Sequence, residues 1–124
     1  MQTISTRTGA LVAAAVLSVL GAAGLATVAL AHPTVDVAVS NWKFVPAKIT
    51  IPLGEPTVLR LTSTSGVHGI QSDDLGIPMT TIPSGKSETV TFTPKKAGEY
   101  ILHCQVFCGA GHANMALTIE VVAP

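Results

Sequence analysis

One short stretch near the C-terminal end of the chain, Cys104–Met115, contains four side chains that bind soft metal ions. They are two thiols, an imidazole and a thioether, at the spacing Cys-x3-Cys-x3-His-x2-Met. The chain has two cysteines, and both lie in this stretch, which we call the ligand loop. Thiolate and thioether ligands favour copper, and imidazole also binds it. The residue types therefore predict a copper site that includes Cys104, Cys108, His112 and Met115.

Two segments of alternating apolar and polar residues flank the ligand loop and predict the strands that hold it. The first is residues 99–103 and the second is residues 116–121. Alternation along the first segment places Leu102 and Cys104 on one face and His103 on the other, so we expect His103 at the surface and outside the metal site. Glycines inside the loop permit the sharp turns that bring closely spaced ligands to one point.

The chain before the ligand loop alternates with period two from Thr34 onward, and no helical period of useful length follows. Short strands separated by Gly- and Pro-rich turns predict an all-β fold, specifically an antiparallel sandwich. We expect Leu59 and Leu61 to point inward. Trp42 and Phe44 share one parity, and we expect them to form an aromatic pair in the core, with a surface position for Trp42 as the alternative.

The N-terminal part differs in composition from the rest of the chain and predicts a domain boundary. Residues 11–31 form an uncharged apolar run that follows Arg7 and ends in the A-x-A pattern of a cleavage site. We expect residues 1–31 to be a secretory signal peptide or a single membrane anchor, and residues 32–124 to form one exported domain. The domain is then periplasmic, or it lies on the outer face of the cytoplasmic membrane.

The charge of the chain gives no indication of a nucleic-acid partner. Seven basic and seven acidic residues give a formal net charge of zero, whereas nucleic-acid binding calls for a basic surface. The sequence also has no obvious acid–base pair. We therefore expect no nucleic-acid binding and no catalysis by this chain alone.

The ligand loop resembles that of the binuclear CuA centre, which occurs in subunit II of haem–copper cytochrome c oxidases and in nitrous oxide reductase. In that family an earlier histidine completes the site, and the segment Ser65–Ile70 resembles its surroundings, with His68 as the ligand. The resemblance extends from about Val35 to Val122. It is closest to the oxidase subunits that have a single membrane anchor.

This resemblance implies a cupredoxin-like Greek-key sandwich, after an N-terminal signal or anchor helix, and two copper ions bridged by the two thiolates. One copper would also take His68 and Met115, and the other would take His112 and the backbone carbonyl of Val106. The domain would pass electrons from a c-type cytochrome, or a similar donor, to subunit I of a haem–copper oxidase, with a membrane contact if the anchor is uncleaved. The sequence departs from the family at Val106, where many members have an acidic or amide side chain, and at Ala116–Leu117, which replaces an aromatic–glycine pair.

Other interpretations of the ligand residues are open at this level. The ligands of a mononuclear blue-copper carrier would be His68, Cys108, His112 and Met115. Cys104 would then have no role. A structural zinc site would instead leave Met115 without a role. The two cysteines could also form a disulfide in an exported protein, and the domain could serve in periplasmic copper binding or delivery.

Overall fold

Nine β-strands form most of the regular structure in the computed structural model, which describes residues 31–124 and Gly24. The strands are, in chain order, β1 (Thr34–Ser40), β2 (Lys43–Val45), β3 (Lys48–Pro52), β4 (Thr57–Ser63), β5 (His68–Ser72), β6 (Ile77–Ile82), β7 (Ser87–Phe92), β8 (Gly98–His103) and β9 (Ala116–Val122). A short 3₁₀ helix, His112–Asn114, precedes β9. The predicted signal or anchor, residues 1–31, lies outside the described residues apart from Gly24 and Ala31. Among the described residues, no helix has the length and apolar character needed to cross a membrane.

The strands form two larger sheets and one hairpin. The first sheet has the order β2–β1–β4–β7 and the second has the order β3–β9–β8, while β5 and β6 form a two-stranded antiparallel sheet. Side chains alternate between the core and the outside along most strands; in β9, for example, Leu117, Ile119 and Val121 are buried. Period-two alternation in a sequence produces this pattern, and the all-β prediction is confirmed.

The core is one cluster of buried apolar side chains that come from both larger sheets and from the hairpin. Leu59 and Leu61 of β4 are fully buried, as predicted, and Arg60 between them is exposed. Large buried side chains from other strands are Phe44, Ile51, Ile70, Ile77, Ile82, Leu117 and Ile119. Each such side chain contributes about 1.5–3 kcal/mol by leaving water. The cluster therefore gives the ligand loop a rigid base.

Two strand pairs run parallel, whereas the sequence predicted an antiparallel sandwich. β1 pairs in parallel with β4, where Val37 lies opposite Leu61, and β3 pairs in parallel with β9, where Ile49 lies opposite Ile119. Alternation of apolar residues determines which face of a strand is buried, but it carries no information about the direction of the neighbouring strand. The prediction was wrong for these two pairs.

The predicted aromatic pair of the core is correct for one residue and wrong for the other. Phe44 is buried in β2, but Trp42 lies in the turn between β1 and β2 with 41% of its surface exposed. The alternating pattern ends with β1 at Ser40, and the turn that follows interrupts it. The alternation along the strand therefore no longer determines which way the Trp42 side chain points. Its ring lies against the ligand loop instead.

Candidate metal centre

The hairpin of β8 and β9 closes the ligand loop at its base. The last residue pair of the hairpin is His103 and Ala116, and beyond it the Cys104 N–H donates a hydrogen bond of 3.0 Å to the carbonyl of Met115. The residues that carry the first thiol and the thioether are therefore held side by side by backbone pairing. His103 is exposed, as predicted, since it lies on the outer face of β8.

The β5–β6 hairpin brings His68 to the ligand loop from a distant part of the chain. His68 is the first residue of β5, and the Gln105 N–H donates a hydrogen bond of 2.9 Å to the carbonyl of Gly69. A Cβ atom on Gly69 would lie 2.8 Å from Val106 Cγ2 and 3.0 Å from Met79 Cε. Glycine at this position is what allows the backbone of β5 to approach the loop so closely.

The predicted ligand side chains lie close together in one cluster. The Cys104 sulfur lies 3.8 Å from His68 Nδ1. The Cys108 sulfur lies 3.6 Å from His112 Nδ1 and 3.7 Å from Met115 Sδ. The ligand atoms of His68, Cys104 and Cys108 all lie within 4.8 Å of one another, and both cysteines are free thiols. We refer to this group of side chains as the donor cluster.

Val106 contributes its backbone, and not its side chain, to the donor cluster. The Cys104 thiol donates a hydrogen bond of 3.2 Å to the carbonyl oxygen of Val106. The Val106 side chain packs against the backbone of β5 next to Gly69. The carbonyl oxygen therefore lies beside the donor atoms.

The imidazole of His68 is held in one tautomer by its surroundings. The side chain is fully buried, and its Nε2 atom lies 2.7 Å from the carbonyl oxygen of Ser65. A carbonyl oxygen can only accept a hydrogen bond, so Nε2 carries the proton and Nδ1 presents its lone pair to the Cys104 sulfur. Metal-ligating histidines usually make an orienting hydrogen bond of this kind. The arrangement selects Nδ1 of His68 as the available ligand atom.

The donor cluster has a buried inner side and a more accessible outer side. His68 and Met115 are fully buried, whereas Cys108 and His112 are half-buried. Outside them, Phe107 is 81% exposed, and its ring centroid lies 5.4 Å from that of His112. The cluster is therefore more accessible on the side of Phe107 and His112 than on the side of His68 and Met115.

Burial is also the main reason that the Cys108 thiol is hard to ionise. Together with the smaller effect of the neighbouring Cys104 thiol, it raises the pKa of this thiol from the ordinary value of 9.0 to about 11. The thiol is therefore protonated at neutral pH when no metal is bound. Since the thiolate is the form that binds metals, a metal ion that binds Cys108 must displace this proton.

We expect copper binding to the metal-free domain to release protons and to strengthen as the pH rises. Displacement of the Cys108 proton should raise the apparent Cu(I) affinity about tenfold per pH unit between about pH 6 and pH 8, well below the thiol pKa of about 11. Anaerobic calorimetric titration in two buffers of different ionisation enthalpy measures the released protons. Cys108→Ser should release about one proton fewer. An affinity that does not change with pH in this range would show that the Cys108 thiol is not a ligand.

Met115 is the residue that distinguishes a copper site from a zinc site. It is fully buried, and its sulfur contacts the Cys108 sulfur at 3.7 Å. Soft thioether ligands select copper, whereas zinc sites are built from cysteine, histidine and carboxylate ligands. A donor cluster of two free thiols, two imidazoles and a buried thioether therefore fits copper.

Two residues that shape the donor cluster were not predicted from the sequence. Ser65 orients His68 through its carbonyl oxygen, and Trp42 donates an indole N–H hydrogen bond of 2.7 Å to the carbonyl of Cys108. The Ser65 contact has no sequence signal, because every residue has a backbone carbonyl. For Trp42 the available signal was the end of the alternating pattern at Ser40, which places it outside a strand.

The sandwich, with thiol, imidazole and thioether donors gathered around one loop, defines the class of protein as cupredoxin-like. Residues 9–118 match the family description "Cupredoxin-like domain", and the chain belongs to this family. The matched region contains all residues of the donor cluster. The predicted cupredoxin-like sandwich is thereby confirmed.

Within curated proteins, the chain is similar to cytochrome c oxidase subunit 2 of Thermus thermophilus. The two are 36% identical over 88 residues, which cover 71% of this chain and 64% of that protein. A second subunit 2 sequence from the same species is also 36% identical over 88 residues, which cover 52% of its length. The chain thus spans 52–64% of the length of these two relatives. The predicted resemblance to oxidase subunit II is confirmed.

Solved structures share the fold at low sequence identity. The periplasmic domain of subunit II of cytochrome oxidase from Bradyrhizobium japonicum aligns with a TM-score of 0.65 and 16% identity, covering 73% of this chain and 84% of that chain. Reduced auracyanin from Roseiflexus castenholzii aligns with a TM-score of 0.58 and 20% identity, covering 74% of this chain and 98% of that chain. These similarities support the cupredoxin-like fold.

Proposed function

We propose that residues 32–124 form an electron-transfer domain that holds a binuclear copper centre of the CuA type. The observation that carries the proposal is the convergence of two free thiols on one imidazole, since the ligand atoms of Cys104, Cys108 and His68 lie within 4.8 Å of one another. A mononuclear blue-copper site uses one cysteine and has no role for the second thiol. The similarity to cytochrome c oxidase subunit 2 supports the same function.

The proposed ligands are the residues of the donor cluster and one backbone group. They are His68, Cys104, the carbonyl of Val106, Cys108, His112 and Met115. When bound, the copper pair supplies a one-electron carrier whose charge is shared by two metals. The chain holds the thiolates, the imidazoles and the weak donors in fixed positions, so that little rearrangement accompanies electron transfer. The β8–β9 hairpin and the hydrogen bond between His68 and Ser65 provide this rigidity.

The arrangement favours electron transfer over catalysis of bond formation. His68 and Met115 are buried on the inner side of the cluster, and His112 and Phe107 lie on the outer side. With every donor bound to metal, the cluster would have no position for a substrate. We infer that any oxidase activity belongs to a partner subunit.

We further infer the redox partners and the location of this domain. A c-type cytochrome or a similar donor would reduce the centre, and subunit I of a haem–copper terminal oxidase would accept the electron. The similarity to oxidase subunit 2 supports this assignment. The domain would lie in the periplasm or on the outer face of the cytoplasmic membrane. The apolar run at residues 11–31, which we interpret as part of a signal peptide or membrane anchor, supports export.

A mononuclear blue-copper carrier is the second candidate function. His112 and Met115 both contact the Cys108 sulfur, at 3.6 Å and 3.7 Å. Together with His68, these three residues supply the donors that a blue-copper site requires, namely two histidines, one cysteine and a weak axial methionine.

A copper-delivery protein would differ from both carriers, because it would release its copper readily to a chelator.

Copper stoichiometry together with the EPR spectrum of the purified domain tests the proposal. Two coppers per chain and a seven-line hyperfine pattern, from one electron coupled equally to two copper nuclei, would support the CuA centre. One copper per chain and a four-line pattern would support the blue-copper carrier. A domain that takes up no copper, or that keeps zinc in the presence of copper, would contradict both.

We expect residues 32–124 to fold alone as a soluble β-sandwich. Among the residues that the structure describes, the buried core cluster lies between Val37 and Val121, so residues 32–124 retain all of these core side chains. Circular dichroism should show a β-rich spectrum and one cooperative thermal transition. The same measurement on the full chain in detergent is the control. A helix-dominated spectrum of the shortened chain would contradict the prediction.

A further inference from the structure

Trp42 contacts the ligand loop with both its N–H group and its ring. The indole Nε1–H donates a hydrogen bond of 2.7 Å to the carbonyl of Cys108. A Cβ atom on Gly111 would lie 2.5 Å from Trp42 Cγ, and one on Gly109 would lie 3.0 Å from Trp42 Nε1 and Cζ2. The backbone of the loop therefore runs so close to the indole that only glycine fits at position 111.

The turn that carries Trp42 also contacts the segment before His68. The Asn41 N–H donates a hydrogen bond of 3.0 Å to Ser65 Oγ, and the Asn41 side chain occupies the space beside Gly66. The carbonyl of Ser65 in turn accepts the Nε2–H hydrogen bond of His68. One turn, between β1 and β2, thus touches both segments of the chain that supply metal donors.

The part of the ligand loop around Cys108 has few other backbone contacts. Hydrogen bonds tie Cys104 to Met115 and Gln105 to the hairpin, and the turn at residues 109–115 is closed by its own hydrogen bonds. Within the part of the chain that the structure describes, residues 106–108 make no backbone–backbone hydrogen bond. The hydrogen bond from the Trp42 indole therefore ties the backbone at Cys108, which has no backbone partner of its own among the described residues, to the rigid sandwich.

We propose that Trp42 is a positioning residue of the metal centre, an inference that rests on the proposed copper function. Its N–H group fixes the carbonyl of Cys108, and its ring fixes the path of the backbone through Gly109 and Gly111. Together these contacts set the positions of the Cys108 sulfur and the His112 imidazole relative to the buried donors. Trp42 need not touch the metal to have this effect.

Two substitutions separate the contributions of the ring and the N–H group. Trp42→Phe keeps a ring against the glycines but removes the donor, and Trp42→Ala removes both. We expect copper release to a chelator to be about fivefold faster in Trp42→Phe, the effect of one lost hydrogen bond, and at least about tenfold faster in Trp42→Ala. The change in the copper hyperfine splitting should also be larger in Trp42→Ala than in Trp42→Phe. Ile101→Ala, an exposed apolar residue on β8, is the control and should match the wild-type domain.

The metal-free domain provides an independent test, because the chain has one tryptophan and therefore one indole N–H resonance. We expect this proton to exchange with solvent at least about tenfold more slowly than in free tryptophan. Exchange at the free rate would overturn the inference. The inference would also be overturned if the wild-type domain binds copper normally and both variants keep its copper spectrum and its release rate. A wild-type domain that binds no copper would overturn the proposed function, and this inference with it. If Trp42→Ala does not fold, Trp42→Phe decides between these outcomes.

Discussion

Replacing Cys104 by serine should lower the copper content of the domain from two ions to one at most. The Cys104 sulfur lies within 4.8 Å of both the His68 and the Cys108 ligand atoms, so it is the donor that joins the two parts of the cluster. The remaining donors are those of a mononuclear site: His68, Cys108, His112 and Met115. The EPR spectrum should therefore change from seven lines to four, and metal analysis should show the lost ion.

The Cys104→Ser variant should still fold, which makes this test specific to the metal. The thiol at this position donates to the carbonyl of Val106, and a serine hydroxyl can donate to the same acceptor, so no buried polar group is left without a partner. Ala110→Ser, at an exposed position of the ligand loop, is the matched control and should keep both coppers. If the wild-type domain binds one copper and Cys104→Ser changes nothing, the CuA assignment is wrong and the blue-copper carrier is correct.

Replacing Met115 by leucine should leave both coppers bound and raise the reduction potential. Leucine and methionine have similar volumes, so the packing cost at this fully buried position should stay below about 1.5 kcal/mol. The thioether is a weak axial donor, and its loss favours the reduced form of copper. We expect a rise of at least about 59 mV, which is tenfold in a one-electron equilibrium. Spectroelectrochemical titration measures the change.

Met79→Leu is the matched control for this experiment. Met79 lies on β6 with 46% of its surface exposed, and it is not part of the donor cluster. Its replacement should leave the potential unchanged. Loss of copper from Met115→Leu would show that the thioether is needed to hold the site together. An unchanged potential would show that the Met115 sulfur is not a ligand.

The parts of the molecule that could be predicted from the sequence depend on local signals. The spacing of the cysteines, His112 and Met115 placed four donors in one loop without knowledge of the fold. Alternation along β8 correctly assigned Leu102 to the core and His103 to the surface, because successive side chains of a strand point to opposite faces. The loop and its two supporting strands follow from these signals.

The parts that could not be predicted depend on contacts between distant segments. His68 has the appearance of an ordinary loop histidine, and only the family resemblance assigned it to the cluster. Its contact with Cys104 spans 36 positions, and the bond from Trp42 to Cys108 spans 66. A periodic pattern in one segment does not state which other segment will pack against it. The parallel pairing of β3 with β9 was missed for the same reason.

The parallel pairing of β3 with β9 also determines when in folding the chain can bind its metal. The β8–β9 hairpin is local, but β9 also pairs with β3, where Ile49 lies opposite Ile119. Contacts between such distant residues form slowly, because closing a long loop of unfolded chain costs entropy. The hydrogen bond from Gln105 to Gly69, which holds His68 beside the ligand loop, is another contact between distant residues. Until such contacts form, the donors of the ligand loop are near one another, while His68 is not held beside them. We infer that the chain folds first, and that copper is inserted into the finished sandwich.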